Sequence, residues 1–196
     1  MEAKAVAAGK KNARRLGAHL IFVDESGFLL IPSVRKTWSP RGLTPLLHHQ
    51  TWPRHKISVI SGVSISPTRH RLGLYFACHQ TNIARDQVLN FLQQILGHLR
   101  GRVILLWDNS KTHQGPLIRN FLERHPRLQI ERFPPYAPEL NPDEGVWNHT
   151  KRELANGQSR SADELQAHLL DALTGLQRSQ RHRRFVPPAE AAMAST

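Results

Sequence analysis

The chain has 196 residues and one cysteine, and its 27 Lys and Arg against 15 Asp and Glu give a formal net charge of +12. A lone cysteine excludes an intrachain disulfide and a thiolate metal cluster, and no apolar run approaches the roughly 18 residues that would span a bilayer. With 39% hydrophobic residues the length suits one folded domain, and the cationic surplus points to a polyanionic partner, nucleic acid before an anionic membrane surface.

The start, "MEAKAVAAGKKNARRLG", lacks the uninterrupted apolar core of a signal peptide, so a cytoplasmic protein is expected. Its Lys4, Lys10, Lys11, Arg14 and Arg15 make it a helix or a basic lead-in. "HLIFVDES" (19–26) is the first strand, and "GFLLIP" is read as extending it into a hairpin. Residues 32–55 are rich in Pro, Arg, His and Trp without a period, which predicts a long loop or insertion. A zinc site there through His48, His49 and His55 would have no cysteine partner and is the weaker reading. "KISVISGVSI" (56–65) and "HRLGLYFAC" (70–78) flank the turn signal "SPTR" and read as an antiparallel pair, with Cys78 a small buried residue.

Ile83, Val88, Leu92, Ile95 and Leu99 recur at helical spacing, with Gly101 just beyond. "RVILLWD" (102–108) is a buried strand, "GPLIRNFLERH" (115–125) a helix with Pro116 in its first turn, and "LQIERF" (128–133) another strand. "NPDEGVWNHTKRE" opens a further helix after a proline-rich approach, and "SADELQAHLLDALTGL" (161–176) begins with capping-box spacing at Ser161 and Glu164. A meander followed by βαβ units implies one mixed sheet of five strands flanked by helices, an α/β fold whose sites form near strand carboxyl ends.

Two acids stand where apolar strands end, Asp24 after "LIFV" and Asp108 after "VILLW". Either carboxylate alone can cap the next turn. On neighbouring strands the pair would offer hard oxygen donors of the kind Mg²⁺ prefers. A third acid from the helix at 142 would complete a cluster suited to phosphodiester chemistry, in which two cations about 4 Å apart serve the attacking and leaving oxygens. Which acid that is stays open from the residues alone. Glu144 also has the spacing of a capping box after Asn141 and Pro142, while Asp143 aligns with Trp147 and Leu154 on the apolar side.

"FVDESGF", "LLWDNSKTH" and "PPYAPELNPDEGVWNHTKRE" in this order resemble the three catalytic blocks of the DDE transposases of the mariner-like superfamily, in its bacterial insertion-sequence branch. The third block of that family has the form P-P-Y-S-P-x-L-N-P-I-E-x-x-W, and 35 residues separate Asp108 from Glu144 here, close to the family's gap. The resemblance runs from about residue 17 to 176. It implies an RNase H-like fold on which Asp24, Asp108 and Glu144 are the catalytic triad and bind two Mg²⁺ or Mn²⁺ ions. Asn109 and His113 match the family's Asn and His and are assigned a supporting role. Trp38 and Arg41 of "TWSPRGLTP", with Lys111, Lys151 and Arg152, are candidate DNA contacts.

The implied activity is strand cleavage and strand transfer at insertion-sequence ends, on transposon-end and target DNA. The active form would be a homodimer at the bacterial nucleoid. Two departures stand out: Asp143 occupies a slot that is apolar in the family, and the first block begins at residue 22, so that no helix-turn-helix unit is expected to fit within the residues before it. A catalytic half is therefore expected, either a split reading frame working with an upstream helix-turn-helix chain or a truncated relic. Residues 1–17 would form a basic lead-in, 18–178 the catalytic domain and 179–196 a basic, flexible tail. The competing readings are an RNase H-like nuclease acting on RNA–DNA hybrids and an inactive or regulatory DNA-binding remnant.

Overall fold

In the computed structural model of the chain, residues 3–30, 38–43, 56–68, 71–133, 140–155 and 159–179 are described. Most of the expected long loop, the histidines at 48, 49 and 55, the prolines at 134, 135 and 138 and nearly all of the tail therefore lie outside the described residues. Helix α1 (Ala3–Leu16) precedes strands β1 (His19–Leu29), β2 (Lys56–Ile65) and β3 (Leu72–His79). Helix α2 (Arg85–His98), strand β4 (Val103–Trp107), helix α3 (Pro116–Arg124), strand β5 (Leu128–Arg132), and helices α4 (Asp143–Glu153) and α5 (Ala162–Arg178) follow.

One sheet contains all five strands in the order β3-β2-β1-β4-β5. β1 is antiparallel to β2 from Leu20↔Ile65 to Leu29↔Lys56 and parallel to β4 from His19↔Val103 to Phe22↔Leu106. The expected hairpin at "GFLLIP" does not form. Gly27 faces Ser58 in an unbroken ladder, so pairing to β2 overrides the local turn signal and carries β1 on to Leu29. Helix α2 starts later than its apolar period indicates because Ala84 is extended, and its N–H donates to Gln87 Oε1 at 3.0 Å. The α2 C-terminus is closed by Arg127, whose guanidinium donates to the carbonyls of Leu96, Leu99 and Gly101 and so meets acceptors that a helix end leaves open.

Strand alternation divides the core in two. Phe22, Val63 and Leu106 face α4 and α5, where Trp147, Leu169 and Leu173 are buried; Ala13 of α1 joins this cluster. Ile21, Val23, Ile60 and Trp107 face α2 and α3, where Phe91, Ile95 and Phe121 are buried. Cys78 is half-buried, and burial pushes its thiol up to about 11. Among the described residues no helix is long and apolar enough to cross a membrane.

Ser161 caps α5 as its sequence indicates, accepting from Glu164 N–H at 3.1 Å, but the Glu164 carboxylate reaches one residue further back, to Arg160 N–H at 2.6 Å. Leu173 is fully buried on the inner face of this helix. Leu173→Ala should therefore cost about 2–5 kcal/mol, transfer and cavity effects together. Urea unfolding of parent and variant measures it, and a loss below about 0.5 kcal/mol would mean that α5 is not seated on the sheet.

Candidate active site

Asp24 lies near the middle of β1, opposite Ser61 of β2. It shares the α4 side of the sheet with Phe22, whereas the next residue, Glu25, points through to the α2 side. Asp24 Oδ2 accepts the indole N–H of Trp147 at 3.0 Å. Burial pushes its carboxyl up to about 6, against the opposing pull of the Trp147 and backbone hydrogen bonds and with help from the nearby charges of Glu25 and Glu144.

Asp108 follows the last residue of β4. Continuing the Phe22↔Leu106 register by two residues brings Asp24 and Asp108 alongside each other, as neighbouring strand ends require. A tight turn comes next. Ser110 N–H donates to Asp108 Oδ1 at 2.8 Å, and Ser110 Oγ in turn accepts from Thr112 N–H at 3.4 Å, opening a short 3-10 turn over Lys111–His113. Arg85 at the start of α2 pins this turn by donating to the carbonyls of Gln114 (2.7 Å) and Lys111 (3.3 Å).

The turn delivers His113 into the protein. Its ring is buried and stacks on Trp107 with centroids 4.2 Å apart and planes 3° from parallel. His113 Nδ1 lies 2.8 Å from Asp108 Oδ1 and Nε2 lies 2.8 Å from Glu25 Oε1. Burial alone would lower the His113 pKa, but the hydrogen bonds to Asp108 and Glu25 and the Glu25 charge push it up to about 9. The His113 hydrogen bond correspondingly holds Asp108 below the usual carboxylate range.

The third element is the entrance of α4. Pro142 already has helical dihedrals (φ −65°, ψ −20°), and Asn141 Oδ1 accepts from Asp143 N–H at 3.2 Å, the bond of a capping asparagine. Successive residues of a helix diverge by about 100°, and the two acids diverge accordingly. Asp143 is fully buried, its Oδ1 accepting from the Ser61 hydroxyl. Glu144 is half-buried and, among the described residues, its carboxylate has no hydrogen-bond or ion-pair partner. The capping-box alternative for Glu144 is thus not the one adopted.

The remaining candidates are placed unevenly. Asn109 adjoins Asp108 and its Oδ1 accepts from Arg132 at 3.1 Å. Lys111 is exposed in the turn beside Asp108. Lys151 and Arg152 are exposed in the last turn of α4, about 10 Å along the helix from Glu144 at ~1.5 Å per residue. Trp38 is fully exposed and Arg41 exposed in a short turn over 38–43. A cavity of about 790 Å³ opens elsewhere, between the end of β1, α4 and α5, and none of the three acids lines it.

Asp24, Asp108 and Glu144 together supply the hard oxygen donors that suit Mg²⁺ or Mn²⁺. A cation fits the electrostatics as well, since Glu144 has no positive partner among the described residues and its charge makes Asp24 harder to ionise. In their present rotamers, no three His, Cys, Asp or Glu side chains among the described residues converge closely enough to hold an ion. Reasoning from sequence did not single out Glu25, or Trp147 as a hydrogen-bond donor. The available signals were a second acid directly after Asp24 and a Trp one helical turn from Glu144.

Residues 19–166 match the DDE superfamily endonuclease family. The transposable element Tc1 transposase of Caenorhabditis elegans is 24% identical over 159 residues, covering 76% of this chain and 57% of that protein. Among solved structures, the Mos1 transposase paired-end complex with left transposon end superposes with a TM-score of 0.68 at 16% identity, over 99% of this chain and 60% of that one. The Mos1 mariner paired-end complex with Mn gives 0.65 at 16% identity, over 99% and 59%. The catalytic domain of Mos1 mariner transposase gives 0.60 at 14% identity, over 99% of this chain and 90% of that domain. The chain thus has the RNase H-like fold of that catalytic domain and spans a little under two thirds of its longer relatives.

The buried Asp143 has an energetic consequence of its own. Burial raises its carboxyl well above the ordinary value, against hydrogen bonds from Ser61 and the Val63 backbone, and the charges of Asp24 and Glu25 add to the rise. An unfolded chain ionises this group near 3.8, while the folded chain holds the proton to higher pH. Its contribution to stability is therefore fully present below that pH and is lost as pH rises toward the folded value. Asp143→Asn keeps an acceptor for Ser61 and cannot ionise. Thermal melts of both proteins should coincide near pH 3 and separate in favour of the variant toward neutrality, by about 1.4 kcal/mol for each unit of the rise. A difference independent of pH would assign the effect to another cause.

Proposed function

The chain belongs to the DDE superfamily endonucleases, and we propose that it is the catalytic domain of a transposase, cutting DNA at transposon ends and joining the freed ends to target DNA. The observation that supports this reading is the register that sets Asp24 and Asp108 alongside each other on neighbouring strands, with Glu144 in the first turn of α4 near enough for its charge to act on Asp24. Asp24 is held by Trp147, Asp108 by His113, and Glu144 is left without a partner among the described residues. Tc1 and Mos1 are transposases by name, and a Mos1 paired-end complex solved with Mn supports divalent metal use.

On this reading Asp24, Asp108 and Glu144 would hold two Mg²⁺ or Mn²⁺ ions, which when bound activate the attacking oxygen and stabilise the leaving one. The protein's own residues prepare the site. Trp147 N–H fixes one oxygen of Asp24, while His113 and Ser110 N–H fix one oxygen of Asp108. Asn141 caps α4 so that Glu144 emerges from its first turn. Lys111 beside Asp108, Lys151 and Arg152 at the end of α4, and the exposed Trp38 and Arg41 are proposed as DNA contacts, with Asn109 and His113 in support.

The third block supports placement in the bacterial insertion-sequence branch, and hence a cytoplasmic, nucleoid-bound protein with residues 18–178 as its catalytic domain. A homodimer, acting with a helix-turn-helix chain that recognises the ends, completes the proposal. The net charge of +12 supports DNA as the partner.

Two expected outcomes follow from these assignments. With Mg²⁺ or Mn²⁺ and terminal-repeat DNA, in the presence of the upstream helix-turn-helix chain, cleavage should be lost on adding EDTA. It should also be lost in Asp24→Asn, Asp108→Asn and Glu144→Gln, each folding with stability within about 1 kcal/mol of the parent, the scale of a cap effect. Asp143→Asn should still cut. Normal cleavage by Glu144→Gln with a dead Asp143→Asn would transfer the third role to Asp143, and no cleavage by the parent would favour the inactive remnant.

Binding of the chain alone to duplex DNA should weaken at least about tenfold between roughly 50 and 200 mM salt, with little sequence preference, because affinity resting on phosphate contacts falls with counterion concentration. A fluorescence-anisotropy titration measures it. Salt-independent binding would remove the electrostatic reading.

A further inference from the structure

Glu25 is a carboxylate on the α2 side of the sheet, the side of the apolar Val23 and of the Trp107–His113 stack whose ring it meets. Its side chain is only 20% exposed, and the His113 side chain it meets is 1% exposed. Carboxylate oxygens at 2.8 Å from both ring nitrogens of His113 can only accept, so both nitrogens carry hydrogens. The ring is thereby locked in three ways. Trp107 fixes its plane, Glu25 fixes which nitrogen points inward, and Asp108 receives what remains. Asp108 Oδ1 then has two donors, His113 Nδ1 and Ser110 N–H, each at 2.8 Å. Its other oxygen, Oδ2, has none among the described residues.

We propose that Glu25 is a positioning residue for the metal chemistry: acting through His113, it fixes Oδ1 of Asp108 and leaves Oδ2 as the one oxygen offered to a divalent cation. The inference rests on reading Asp108 as a metal ligand. Without Glu25 the inner nitrogen of the imidazole loses its acceptor and the ring can turn on Trp107, which leaves Ser110 N–H as the one fixed donor to Asp108, a carboxylate whose side chain is 58% exposed. A ligand that must be ordered before it binds has a weaker apparent affinity, and loss of such an outer partner costs about 10- to 100-fold.

The test is Mn²⁺ binding, read without turnover from the electron paramagnetic resonance signal of free Mn²⁺ as protein is added, with melting temperatures taken in EDTA as the check on folding. Glu25→Ala and Glu25→Met, the second keeping the side-chain volume if the first is too unstable, should weaken Mn²⁺ binding at least tenfold. Glu25→Gln, whose carbonyl oxygen still accepts from His113 Nε2, should stay within about threefold of the parent. The proposal is overturned if Glu25→Met binds Mn²⁺ within about twofold of the parent while Asp108→Asn loses binding, because Glu25 would then be a counter-ion for the buried His113 and nothing more. Undiminished binding by Asp108→Asn would instead overturn the assignment of Asp108 as a ligand.

Discussion

Neighbouring residues of a β-strand point to opposite faces of the sheet, and the candidate site is built on that constraint at Asp24 and Glu25. Asp24 faces α4 and takes the indole N–H of Trp147; Glu25 passes through to the α2 side and takes His113. β1 can support both because it lies inside the sheet, paired with β2 on one side and β4 on the other. A shift of one residue in either pairing would exchange the two acids and leave each among the other's partners. The length of the β1–β2 ladder and the parallel β1–β4 pairing therefore set the face on which each acid lies as well as the core.

The site joins dense apolar packing to a crowd of acids. Trp147 is nearly buried, its ring edge-on to Phe28 at 6.1 Å, and the same side chain carries the hydrogen bond to Asp24. Trp107 likewise belongs to the α2-side core while its flat face supports His113. Polar geometry at the sheet end is thus set by groups that the hydrophobic effect already immobilises. The cost appears in the acids themselves: Asp24 and Asp143 are both harder to ionise than exposed carboxylates. In a chain with a net charge of +12, that concentration of negative charge is a local exception.

The sequence carries the architecture wherever the apolar pattern is unambiguous. "VILLW" is too short for a helix and continuously apolar, and it is β4; Ser161 and the leucines after it mark α5. Gly27 misleads because a local turn signal yields to a ten-pair ladder with residues some thirty positions away in the chain. Helical period alone set Asp143 on the buried side with Trp147, which the packing of α4 reproduces. It carried no sign that Ser61, 82 residues distant, would receive that acid. The link between Glu25 and His113 spans 88 residues and is hidden for the same reason. Such pairs follow from strand order, which no local pattern contains.

The three acids come from β1, from the turn after β4 and from the first turn of α4, so the site is dispersed along 121 positions of the chain, 144 − 24 + 1. Closing β1 onto β4 brings together segments more than eighty residues apart, a non-local contact of the kind that slows folding. A ribosome makes such a chain from its amino end, and β1 emerges with its acids long before either partner exists. Until α4 is synthesised and seated on the finished sheet, the growing polypeptide has acids but no arrangement of them. On the proposed reading the chain acquires its full set of ligands only after α4, the last of the three contributing segments, has been made.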